Sequence, residues 1–171
     1  MNSVASSRKN KSPAGGLGYG FGSVHRVWGA LLSLLVVSLT GTLHASDRWE
    51  TLQAIHWVEN PNNDPTPGAH GELGAYQFRR STWFSYTQKP FEYARERHHA
   101  DEVAVLHYEW LKRSFIEAGL EATPYRIALA WNAGLNSALR GRAPRASHDY
   151  ATRVTNIVES LKLRTAKAGQ P

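Results

Sequence analysis

The sequence contains no cysteine. That absence removes disulfides, thiolate metal centres, a cysteine nucleophile and the lipid-bearing cysteine of an anchored export product. Acidic residues are missing from the first 46 positions, whereas Arg8, Lys9, Lys11 and Arg26 lie there and all 14 Asp and Glu follow. Internal repeats, a glycine-rich phosphate fingerprint and long alternating strand patterns are also lacking, which leaves a mainly helical domain as the expectation.

The one-sided charge at the start has a targeting explanation. Residues Val27 to Leu43 carry no charge, follow the four basic residues, and end in "TLHAS" with small residues near Ala45. This is the layout of an export signal spanning residues 1–45, with cleavage expected after Ala45. The uncharged run is also close to the shortest length that spans a bilayer, so residues 27–43 kept as an uncleaved membrane anchor are the alternative. Either way the destination is the periplasm or cell envelope.

Without the leader the remaining 126 residues hold 16 Lys and Arg against 14 Asp and Glu, a net charge of +2. The pI near 9.8 therefore owes much to targeting, and nucleic acid is not an expected partner. One monomeric domain with a real core is expected over residues 46–163, followed by a flexible tail, 164–171. Five tryptophans after residue 45 are available to pack it.

Helical patterns dominate that domain. Residues 47 to 60, "DRWETLQAIHWVEN", open with an Asp-x-x-Glu capping box at Asp47 and Glu50 and place Trp49, Leu52, Ile55 and Glu59 along one face. Asn60 and Pro61 stop the helix, and three prolines and three glycines in residues 61–74 make a shaped loop. "AYQF" reads as a short strand, and Ser81 as the cap of the next helix. Further on, Val103, Leu106 and Trp110 share a helix face that Gly119 terminates. A third helix takes Thr123 as cap, Pro124 at its first position and Gly134 as its end. The last helix carries Tyr150, Val154, Ile157 and Leu161 as its apolar stripe.

Glu59 is the residue this pattern does not explain. A carboxylate in the last turn faces the negative end of the helix dipole, and apolar neighbours desolvate it; both effects favour the protonated form. A protonated carboxyl near neutral pH is what a general acid needs to protonate a leaving oxygen. Taken alone, the position also suits a carboxylate that merely points to solvent.

Three further pieces follow in order: Gly71-x-x-Gly74-x-x-Gln77, then Ala130-Trp131-Asn132-Ala133-Gly134, then Tyr150 with Val154 on the final helix. With the Glu59-Asn60 pair they resemble the soluble lytic transglycosylase family of the lysozyme-like superfamily, over roughly residues 47 to 161. There the pattern runs Glu-Ser, Gly-Leu-Met-Gln, Ala-Tyr-Asn-Ala-Gly and Tyr-x-x-x-Val. Departures are Asn60 for the serine, Tyr76 for the methionine and Trp131 for the tyrosine. The family's loop serine has no counterpart, Thr66 and His70 being the nearest polar residues.

The resemblance implies a lysozyme-like fold with a minor β element and peptidoglycan glycan strands as substrate. It implies cleavage of the β-1,4 bond between N-acetylmuramic acid and N-acetylglucosamine with formation of a 1,6-anhydro end. Glu59 would be the catalytic acid and then the base. Tyr76, Gln77, Trp131, Asn132 and Tyr150 would bind substrate, the two amides through paired donor and acceptor groups and the aromatics through their flat faces. Asp64 and Glu72 are the other nearby acids, neither on an expected rigid element. Two alternatives stand beside this reading: a muramidase-type hydrolase, and a non-catalytic wall-binding or assembly module on the same fold.

No metal or cofactor is expected. His98, His99, Glu102, His107 and Glu109 lack zinc-signature spacing and read as a solvated helix face. Trp49 and Trp110 read as core, and Arg140, Arg142 and Arg145 as a solvated basic loop.

Overall fold

The computed structural model describes residues 47–168, so the export signal or anchor expected over residues 1–45 lies outside the described residues. The fold is mainly helical. Helix α1 occupies residues 47–59, α2 Arg80–Phe84, α3 Arg97–Glu117, α4 Pro124–Ala133, α5 Leu135–Leu139 and α6 Arg145–Ala168, with a 3-10 turn at Phe91–Arg95 before α3. Among the described residues no helix is long and apolar enough to cross a membrane.

Local chemistry accounts for the best-defined boundaries. Thr123 caps α4 by accepting the Arg126 amide, Pro124 takes the first helical position, and Gly134 closes the helix at φ +82°. At the end of α3 the amides of Gly119 and Leu120 donate back to the carbonyls of Ile116 and Phe115, with Gly119 at φ +72°. That pair of bonds is the left-handed glycine closure of a helix. α6 runs through Arg164, where a flexible tail was expected to begin, and continues to Ala168 with its side chains exposed from Lys162 onward.

Packing joins α4 chiefly to α6, and α3 to the 3-10 turn and α4. α4 contributes Ile127, Ala128, Leu129 and Ala130, and α6 contributes Ser147, Tyr150, Ala151, Val154 and Val158. From α1, Leu52, Ala54 and Ile55 complete the core with Trp83 of α2, whose indole N–H donates to the Lys89 carbonyl at 2.8 Å. Ion pairs from Arg48 to Glu109 and from Lys162 to Asp47 tie α1 to α3 and α6 at the surface.

Several sequence expectations are corrected here. Trp49 and Trp110 are 61% and 39% exposed, so neither is core, and Leu106 is exposed as well. The buried stripe of α3 is instead Ala100, Val103, Ala104, Tyr108, Leu111 and Phe115, rotated toward the small residues that let neighbouring elements approach. On α6, Val158 is buried while Ile157 packs only partly against the core. Asp47 is already helical, so it does not cap α1 in the expected box with Glu50. Arg79, not Ser81, occupies the position before α2, with no side-chain cap.

"AYQF" is not a strand. Leu73 and Phe78 form an isolated antiparallel bridge, the only β pairing among the described residues, and residues 74–77 are the turn between them. Two of its residues lie at positive φ, Gly74 at +77° and Gln77 at +46°. A Cβ on Gly74 would lie 1.6 Å from the carbonyl oxygen of Ala94, so only glycine fits where the turn meets the 3-10 segment.

Candidate active site

The end of α1, the Leu73–Phe78 turn, α2 and the end of α4 enclose a cleft of about 530 Å³. Glu59 lies on its wall with Glu72, Tyr76, Gln77, Arg79, His107, Trp131 and Asn132. Five of the six residues singled out in the sequence are therefore on one surface. The sixth, Tyr150, is buried and donates its hydroxyl to Glu59 Oε1 at 2.8 Å.

Glu59 is the last helical residue of α1, half-buried. Burial pushes its pKa above the ordinary carboxylate value; the Tyr150 hydrogen bond opposes this, the charge of Glu72 adds to it, and Arg153 opposes it. Burial and the neighbouring carboxylate raise the Tyr150 pKa well above the usual phenol value. Tyr150 is thus a neutral donor fixed on one oxygen of an acid whose proton affinity burial has raised.

Asn60 sits beside this pair with a different task. Buried at 7% exposure, it donates its amide to the carbonyls of Asp64 and Gly74, at 2.9 and 3.2 Å, and accepts the Asp64 amide at 2.8 Å. These bonds use both amide hydrogens and one carbonyl lone pair, so the side chain ties α1 to the glycine turn rather than facing a ligand.

The turn itself presents Gln77. Its Nε2 donates to the Gly74 carbonyl at 3.0 Å, which leaves Oε1 as an acceptor beside Gly68. Tyr76 is 2% exposed and gives its hydroxyl to Asp101 Oδ1 at 2.6 Å, while Arg97 bonds the same carboxylate at 2.7 Å and meets Nδ1 of buried His56 at 2.9 Å. This network locks the turn to α3 and α1. Trp131 is half-exposed between Tyr76, Phe78 and His107, with ring centroids 6.0, 5.8 and 4.6 Å away. Asn132 is exposed and accepts from Ser147 Oγ at 2.7 Å, leaving its amide hydrogens for an acceptor in the cleft.

Two further cleft residues were named in the sequence but given no place in the site. Glu72 was set aside as a loop acid, yet its Oε2 accepts the His70 amide at 2.9 Å and its Oε1 the Arg79 Nε at 3.3 Å. Its burial raises its pKa, but the amide bonds, His70 and Arg79 outweigh it and hold the carboxyl below the ordinary value. Nothing periodic in a proline- and glycine-rich loop announces such a clamp. His107 did carry a signal, falling four residues after Val103 and four before Leu111 on the buried side of α3. Burial lowers its pKa to about 4, so it is a neutral ring in the cleft.

Asp64 does not line the cleft; its Oδ1 accepts the Thr66 amide. The histidine and acid set on α3 is dispersed: Glu109 pairs with Arg48, and His107 joins the cleft. Glu96, His98 and His99 do converge at the start of α3 as a group able to hold a metal ion, but Lys89 Nζ lies 2.8 Å from His99 Nδ1. Comparison with known proteins returns no match, neither a family model nor a curated protein nor a solved structure.

Proposed function

We propose that the chain is an exported, lysozyme-like lytic transglycosylase acting on peptidoglycan. Its substrate is the β-1,4 bond between N-acetylmuramic acid and N-acetylglucosamine. The observation that carries this reading is Glu59 itself: an acid with a raised pKa, oriented by Tyr150, at the wall of a cleft with amides and aromatic rings around it. Glu59 protonates the leaving glycosidic oxygen while the substrate's 2-acetamido group stabilises the cation-like centre. The carboxylate then takes the proton of the muramyl C6 hydroxyl, which attacks C1 and closes the 1,6-anhydro ring. Proton count is unchanged and no water is consumed.

Gln77 on the turn and Asn132 on α4 offer an acceptor and a donor to the same cleft, a pairing suited to an N-acetyl group. Trp131 offers a flat face to sugar C–H groups. Tyr76, buried and bonded to Asp101, holds the turn that carries Gln77.

Glu72 favours a second reading, hydrolysis. It is a carboxylate with a lowered pKa on the same cleft as Glu59, whose pKa is raised, and inverting and retaining glycosidases alike rely on two carboxyl groups whose environments set their pKa values apart. Digestion of purified sacculi, borohydride treatment and mass analysis separate the two. Anhydro ends, lighter by one water and resistant to reduction, support the transglycosylase; reducible muramic acid ends replace it with the hydrolase. An intact fold that binds sacculi without releasing muropeptides replaces both with a wall-binding module. Fractionation and N-terminal sequencing test export: soluble full-length protein in the cytoplasm contradicts it, and full-length protein in membranes selects the anchor.

A further inference from the structure

Among the described residues, a group of ligating side chains converges away from the cleft, where the 3-10 turn runs into α3. Glu96, His98 and His99 come from four consecutive positions, outside any zinc-signature spacing, and none of them lines the cleft. Their ligating atoms nevertheless lie within 4.8 Å of one another. Glu96 Oε2 is 4.0 Å from His98 Nε2 and 3.8 Å from His99 Nε2. Ligands about 2.1 Å from a tetrahedral ion are roughly 3.4 Å apart, so these two gaps close by about half an ångström around a metal.

The surroundings hold the three side chains in place. Glu96 directly precedes α3, and its amide donates to the Tyr93 carbonyl at 3.0 Å. The Tyr93 ring stacks on half-buried His99, with centroids 5.0 Å apart and planes 7° from parallel, and the His98 ring lies 3.8 Å from His99 on a tilted plane. Neighbouring arginines are turned elsewhere, Arg95 to the Pro65 carbonyl and Arg97 to Asp101.

Lys89 Nζ, 2.8 Å from His99 Nδ1, stands against a cation here. It is also 2.7 Å from Glu102 Oε2, which in turn lies 3.7 Å from the same Nδ1. An imidazole that ligates through Nε2 carries its hydrogen on Nδ1, and a carboxylate is a usual acceptor for that hydrogen. Lys89 therefore yields Nδ1 to Glu102 when a metal binds and keeps its own bond to Glu102.

We propose that Glu96, His98 and His99 form a binding site for a divalent ion of the zinc class, with Glu102 as the carboxylate that orients His99. Two imidazoles and a carboxylate favour late first-row ions over Mg²⁺ and Ca²⁺, which prefer oxygen ligands throughout. Bound there, the ion fixes the junction between the 3-10 turn and α3. The site does not depend on the glycan-cleaving function, and its failure would leave that function standing.

The full chain is freed of metal with EDTA, dialysed, and titrated calorimetrically with zinc chloride, with magnesium chloride as the control. One saturable equivalent of zinc is expected, no heat of binding from magnesium, and a melting temperature that rises with zinc concentration. His98→Ala and His99→Ala should each weaken binding about tenfold or more, and Glu102→Gln about 10–100-fold. Lys89→Met should tighten it, which loss of structure would not do. Melting of each variant without zinc shows that it is folded. Undiminished zinc binding in the double variant His98→Ala/His99→Ala overturns the site, as does a wild-type chain with no saturable equivalent. An affinity that does not rise in Lys89→Met overturns the exchange at His99 Nδ1.

Discussion

Tyr150 Oη donates to Glu59 Oε1 at 2.8 Å across 91 residues of sequence. The bond links the end of α1 to the second turn of α6, so the orientation of the acid depends on how two helices distant in sequence pack. It also acts against burial in setting the proton affinity of Glu59.

Replacing Tyr150 by phenylalanine removes the donor that favours the carboxylate, so the Glu59 pKa should rise further. Under the proposed mechanism activity is lost as pH climbs through that value. The alkaline limb of the kcat/KM profile should therefore move to higher pH, with a lower maximum because the acid is less well oriented. A limb that stays in place would dissociate Tyr150 from the reacting proton.

Glu72→Gln works in the opposite direction. Its negative charge adds to the raised pKa of Glu59, and removing it should shift the alkaline limb to lower pH. The product analysis adds a second readout. Anhydro ends at near wild-type yield are expected if Glu72 only tunes Glu59, whereas loss of reducible ends would identify it as the base that activates water.

Glu59→Gln keeps the size and an acceptor for Tyr150 but removes the proton. Muropeptide release should fall by about 10²–10⁴-fold, the usual worth of a general acid. Stability should change with the opposite sign. A carboxyl whose pKa is raised by folding stabilises the fold fully below its unfolded pKa and progressively ceases to do so as pH rises through the folded value. The melting temperature of Glu59→Gln relative to wild type should therefore increase with pH over that interval. A difference independent of pH would contradict the raised pKa.

Two glycines separate steric from conformational demand. Gly74→Ala forces a Cβ into the Ala94 carbonyl and should cost on the order of 4 kcal/mol or more. Gly71 has φ +80° with nothing within 4 Å of an added Cβ, so Gly71→Ala should cost only about 1–2 kcal/mol, the penalty of the left-handed conformation. Urea denaturation of both variants measures the contrast.

What the sequence disclosed was mostly local. Thr123, Pro124, Gly119 and Gly134 act through bonds to residues within five positions, and their helix boundaries were legible for that reason. The mainly helical character followed from the same patterns. Trp49 and Trp110 were misread because a large aromatic ring on a helix says nothing about whether another element covers it, and here none does so fully. Tyr76 does line the cleft, but the bond that draws its hydroxyl inward to Asp101 on α3, 25 residues on, was not legible. The clamp on Glu72 was equally hidden, since it depends on the turn bringing Arg79 back beside it.

Asn60 gives the cleft a property that neither of its neighbours has alone. Because one carboxamide bonds both Asp64 in the loop and the Gly74 carbonyl of the turn, the residue following the acid is the mechanical reference from which two of the cleft walls are set. Drift at position 60 is thereby constrained by position 74, a residue with no side chain of its own. Substitutions at the two sites should be epistatic, the second adding little damage once the first has let the turn come loose from α1.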